Sequence, residues 1–150
     1  MTQSISEPEP PPEHPPPDYH SIPQRRPPIE CIRTSAAPEP PSRSSQAFKV
    51  NGTIYVAAQI ASGPRVGFFI GPPAVTAERI FLNIEAILKA AGSSLDRIVK
   101  TTVYLTEGAQ GVPEFEALYQ RKLPFAPPRT TVLVSKMNTP DIQMEVIAVE

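Results

Sequence analysis

Apolar and polar residues alternate most clearly in two runs flanking Asn51-Gly52. "QAFKV" and "TIYVAAQIA" are rich in branched and aromatic residues, and Asn-Gly accepts the positive φ values of a type I′ turn. The pattern predicts a β-hairpin over residues 46–61. The period then lengthens. "VTAERIFLNIEAILKAAG" sets Ile80, Phe81, Ile84, Ile87, Leu88 and Ala91 on one helical face, leaves Glu78, Arg79, Glu85 and Lys89 largely outside it, and stops at Gly92. "IVKTTVYLT" returns to period two, with Val99, Thr101, Val103 and Leu105 opposite Lys100, Thr102, Tyr104 and Thr106. "PEFEALYQRKL" opens on Pro113 and groups Phe115, Leu118 and Tyr119 as a short second helix. "RTTVLVSK" and "IQMEVIAVE" read as two last strands around a loop containing Asn138, Thr139 and Pro140.

The order is therefore hairpin, helix, strand, helix, strand, strand. Single strands between helices need crossovers, whereas the strands at each end can pair as hairpins. An α+β fold with a mixed sheet and both helices on one face is the economical packing. No third helix remains to cover the other sheet face, so burial against copies of the same chain, a homo-oligomer, is expected.

Composition divides the chain. Of its 150 residues 21 are proline, and 13 of these stand at or before Pro41. Residues 1–45 are expected to be a disordered proline-rich leader, with 34–45 ordering onto the domain, and 46–150 to be that domain. "SEPEPPPEHPPPDYH" favours polyproline II; it has the PxxP spacing of SH3 or WW ligands, and its plainer reading is a solubilising tail. The domain carries ten Lys or Arg and nine Asp or Glu without runs, so no basic stripe argues for nucleic acid. His14, His20 and Cys31 all lie in the leader. A Cys nucleophile, a Ser-His-Asp triad, a Cys/His zinc site and disulfide stapling are thus unavailable to residues 46–150. No apolar run suits a membrane span or a secretion signal. Six leader acids argue against a mitochondrial presequence without closing that address, and the cytoplasm is the expected location.

"ILKAAGSSLDRIVKTTVYL", with "PPRTTVLV" and "MEVIAV" further on, resembles the Rid family of reactive-intermediate deaminases, also called YjgF proteins. The resemblance spans about Thr34 to Val149. It implies a chorismate-mutase-like homotrimer with ligand clefts between subunits and hydrolysis of 2-imino acids, such as 2-iminobutanoate or 2-iminopropanoate, to 2-oxo acids and ammonia. No metal or other cofactor is implied. Arg129 stands where the family grips the substrate carboxylate, a task suited to a planar guanidinium with parallel donors. The backbone amide of Thr131 stands where the family adds a further donor.

The chain also departs from that pattern. The family's "SGQI" reads "AAQI" here, so Ala57 lacks a hydroxyl and Ala58 adds a methyl group. Ser44 replaces the tyrosine of "GPYSQA", Glu116 stands where Asn is common, and Gln143 occupies the position of the catalytic Glu. An amide can orient water but cannot take its proton, which leaves Glu145, on the same strand face, as the substitute base. Two functions follow: a divergent imine or enamine deaminase, or a non-catalytic trimeric binder of small carboxylates or scaffold. A ribonuclease ranks below both, since the domain holds no histidine.

Overall fold

The structure, a computed structural model, describes residues 27–41, 43–65, 67–68, 71–138 and 141–150. The polyproline reading of residues 6–20 and the loop residues Thr139 and Pro140 lie outside these. The elements run β1 (Glu30–Ile32), β2 (Ala47–Val50), β3 (Thr53–Gln59), α1 (Pro73–Ala90), a 3-10 turn (Leu95–Arg97), β4 (Ile98–Thr106), α2 (Val112–Lys122), β5 (Arg129–Val134) and β6 (Ile142–Val149). They build one mixed sheet of order β1-β2-β3-β6-β4-β5.

The β2–β3 hairpin turns at Asn51 and Gly52 with φ of 50° and 74°, the left-handed pair that its dipeptide favours. β4 and β5 are parallel and joined through α2, whereas β6 runs antiparallel to both β3 and β4. The expectation that the last two strands pair with each other is corrected here: β4 lies between them. The α2 crossover sets β5 parallel to β4 at the sheet edge, and β6 fills the slot between β3 and β4, where both of its edges are hydrogen-bonded.

Both helices pack on one face. Ile80, Phe81, Ile84, Ile87 and Leu88 of α1 are buried as their spacing predicts, and the Phe81 ring lies 6.0 Å from Phe115 and 6.3 Å from Tyr119 of α2. Each such ring contributes about 2–3 kcal/mol by leaving water. Met144, Val146 and Ala148 of β6 meet the helices from below, while Gln143, Glu145, Ile147 and Val149 alternate to the opposite face.

Two local departures correct the strand reading. A register shift between Ile98 and Lys100 puts Ile98 on the core face and leaves Val99 44% exposed. Residues 30–32 form a strand that the alternation does not single out, and buried Gln46 ties the next segment down through Thr34 N–H and the carbonyls of Thr34 and Pro38. Ile32 and Ala37 are buried there, so part of the proline-rich leader packs on the domain.

Candidate ligand-anchoring site

β5 is an edge strand, and its geometry decides what Arg129 can do. Thr101 N–H donates to Pro128 O and Glu107 N–H to Val134 O, so the even-numbered backbone positions of this stretch face β4. The backbone groups of Arg129, Thr131 and Leu133 consequently point away from the sheet, and Thr131 N–H is presented at its open edge. The Arg129 side chain leans toward α2, because its register partner Thr101 is a core-face residue.

Three neighbours fix the guanidinium. Nη1 and Nη2 donate to Glu116 Oε2 and Oε1 at 2.8 and 2.6 Å, and Nε donates to Thr131 Oγ1 at 3.0 Å. The Tyr119 ring lies beneath, 4.5 Å from Arg129 Cζ, and its hydroxyl is held by Thr101 Oγ1 at 2.7 Å. Hydrogen bonding to Glu116 raises the Arg129 pKa, burial opposes it, and the charge of Glu116 adds to the rise. The cation is therefore permanent, its plane is set by a ring and a bidentate carboxylate, and its side chain is 20% exposed.

Gln143 and Glu145 occupy the other face of the sheet. Gln143 pairs in register with Tyr104 and Glu145 with Thr102, and Tyr104 Oη donates to Glu145 Oε1 at 3.3 Å. Burial, followed by the charge of Glu145, raises the Tyr104 pKa. With Ala58, Val134 and Lys136 these side chains line a shallow hollow of about 590 Å³. Its position follows from a bulge in β3, where the register passes from Val56↔Val146 to Gln59↔Met144 and leaves an extra residue at Ala57-Ala58. Asn83 of α1 steadies the exit of that strand, donating to the carbonyls of Ile60 and Ser62 at 3.1 and 2.9 Å. Ser44 and Ala57 line a neighbouring open hollow with Phe48 and Tyr55.

The candidate residues thus fall into two groups. Arg129, Thr131 and Glu116 come together on the helix side of the β5 edge; Gln143, Glu145 and Ala58 come together on the bare face, with Ser44 and Ala57 beside them. Two strand steps, about 10 Å, separate the groups, which lie on opposite sides of the sheet; along β4 Arg129 is three residues from the level of Gln143 and one from that of Glu145. One copy cannot close both around a small ligand. A further hollow of about 650 Å³ opens at the start of α1 between Ala61, Ile80, Lys136 and Ile142, and touches neither Arg129 nor Gln143.

Tyr104 and Tyr119 are the residues that the sequence undervalues. Alternation places the first only on the outer strand face and helical spacing places the second only in the core; their polar roles depend on a strand register and a helix-to-strand approach. Among the described residues no group of three His, Cys, Asp or Glu side chains could hold a metal ion, and no helix is long and apolar enough to cross a membrane.

Residues 34–150 match the family model described as Endoribonuclease L-PSP. A RutC family protein of Aquifex aeolicus is 32% identical over 123 residues, covering 79% of this chain and 98% of its own. The mitochondrial protein MMF1 of Saccharomyces cerevisiae is 36% identical over 121 residues, covering 79% of this chain and 83% of its own. The crystal structure of yeast Mmf1 superposes with a TM-score of 0.76, covering 81% of this chain and 98% of that one. The structure of Escherichia coli TdcF with bound serine superposes with a TM-score of 0.70 at 25% identity, covering 81% and 98%. The two-helix mixed sheet, the match from residue 34 to the end of the chain and these relatives agree: the chain belongs to the Endoribonuclease L-PSP family, the Rid, YjgF or RutC proteins.

Proposed function

We propose that this chain is a divergent Rid-type deaminase that hydrolyses a small 2-imino acid, or a related imine or enamine, to a carbonyl compound and ammonia. The observation that carries the reading is the state of Arg129, a fixed cation beside an outward-facing backbone amide on the edge strand of the sheet. In this reading the guanidinium and Thr131 N–H hold the ligand carboxylate. Water adds to the carbon of the C=N bond, the nitrogen gains a proton, and the carbinolamine collapses to C=O with loss of ammonia. Imines hydrolyse readily, so positioning supplies much of the effect.

The opposite-face placement of Gln143 and Glu145 supports a cleft completed by a second copy, and a homotrimer in solution. Exposed Phe48 and Tyr55 on the bare face give such a contact apolar area. Gln143 orients the attacking water in this arrangement, and Glu145, hydrogen-bonded to Tyr104, is the group able to accept its proton. A ligand with a carboxylate fits the serine of the TdcF structure. The cytoplasm is our proposed location, with the mitochondrial MMF1 as the relative that favours the other address.

A second reading, a non-catalytic carboxylate binder or scaffold, is favoured by one observation: the hollow on the bare face combines an amide at 143 with a methyl group at 58. The test generates 2-iminobutanoate in situ with an amino-acid oxidase and compares the wild type with Arg129→Ala. Acceleration by the wild type that Arg129→Ala abolishes supports the deaminase. Two rates equal to spontaneous hydrolysis refute it and leave the binder.

A further inference from the structure

We infer that Glu116 makes the Arg129 anchor selective for zwitterionic ligands, α-amino or protonated α-imino acids, over simple carboxylate anions. The inference rests on the anchoring role proposed for Arg129 and adds a ligand class to it. A guanidinium has five N–H donors, and three are engaged here: one from each Nη to Glu116 and Nε–H to Thr131 Oγ1. One N–H on each Nη stays available. Each Glu116 oxygen accepts one of these bonds and keeps acceptor capacity, and the Glu116 side chain is 36% exposed.

An arriving ligand therefore meets an ion pair, not a bare cation. The Tyr119 ring closes one face of the guanidinium, and the N–H donors lie in its plane, so a hydrogen-bonding ligand meets the rim, where both free donors and free acceptors lie. A monoanion that binds Arg129 there places two carboxylates on one cation, and their repulsion is poorly screened beside a half-buried pair. An α-amino acid sets its carboxylate on the free Nη–H and its ammonium on Glu116, so charges alternate around the ring of contacts. A protonated α-imino acid carries the same charges at the same spacing, and the corresponding 2-oxo acid does not. Glu116 would thus hold an iminium form and release the oxo acid made from it.

The test uses the full chain and a matched pair of probes, L-2-aminobutanoate and 2-oxobutanoate, with Kd measured by calorimetry for the wild type, Glu116→Gln and Arg129→Ala. The expected wild type binds the amino acid at least about tenfold more tightly, and Glu116→Gln shifts the ratio by at least about tenfold toward the oxo acid. An unchanged ratio in Glu116→Gln, or an equal loss for both probes, overturns the inference and leaves Glu116 as a support for Arg129. Arg129→Ala separates the two claims: loss of both probes keeps the anchor, and undiminished binding of both overturns anchor and selectivity together. Failure of both probes to bind the wild type overturns them as well.

Discussion

Removing the Tyr119 hydroxyl should show how the anchor's platform is held. Thr101 is fully buried, Tyr119 is 6% exposed, and their hydroxyls share one hydrogen bond of 2.7 Å. Tyr119→Phe keeps the ring under Arg129 but strands the Thr101 hydroxyl where water does not reach. Thr101→Val keeps the shape of the strand and strands the phenol. An unpartnered buried hydroxyl costs about 1–3 kcal/mol, whereas removing both partners approaches neutrality. Each single variant should therefore lose about 1–2 kcal/mol, and the double variant should lose less than the sum by at least about 1 kcal/mol. The assay is urea unfolding followed by far-UV circular dichroism at one fixed chain concentration, since association shifts apparent stability. Ligand affinity in Tyr119→Phe should match the wild type because the ring face persists. Losses additive within about 0.5 kcal/mol would refute the shared bond.

Three further outcomes follow from the same contacts. Gly111 opens α2 at φ 77°, and an added Cβ would lie 2.9 Å from the Pro73 side chain, so Gly111→Ala should cost about 2 kcal/mol in urea unfolding. The Tyr104 pKa is raised in the folded state, so its contribution is retained below the ordinary tyrosine value of 10.0 and lost as pH rises through the folded value; Tyr104→Phe should flatten the alkaline fall in Tm, though Lys49, also raised, keeps part of the slope. Restoring Ala57→Ser with Gln143→Glu should increase imine hydrolysis above the wild type, and no increase would mean that the cleft has been remodelled around its present residues.

Local periodicity carried much of the fold. Ile80, Phe81, Ile84, Ile87 and Leu88 repeat every three to four residues, and Asn51-Gly52 encodes its own turn, so α1 and the hairpin can be read without knowing their neighbours. β1 could not be read this way: three residues between Pro27-Pro28 and the later prolines give no alternation, and the strand exists because β2 offers it an edge. The insertion of β6 beside β4 is equally non-local, since it joins segments about forty residues apart. The site divides along the same line. Arg129 is conspicuous in "PPRTTVLV", but its clasp by Glu116 joins a helix to a strand 13 residues away, and no periodicity within either element predicts that approach. Tyr104 could be assigned to a face from alternation alone; its bond to Glu145 requires the register in which Thr102 faces Glu145 and Tyr104 faces Gln143.

The central claim is that the anchor at the β5 edge and the hollow on the bare face serve one ligand through two copies of the chain. Subunit complementation tests it directly. Arg129→Ala and the double variant Gln143→Ala/Glu145→Ala each disable one group, and the two are unfolded together in equal amounts and refolded. Random assembly into a ring pairs an intact anchor with an intact hollow at about one interface in four. Imine hydrolysis recovering to about a quarter of the wild-type rate, from two parents that each sit at the spontaneous rate, is the predicted result. A mixture no more active than its parents would contradict it.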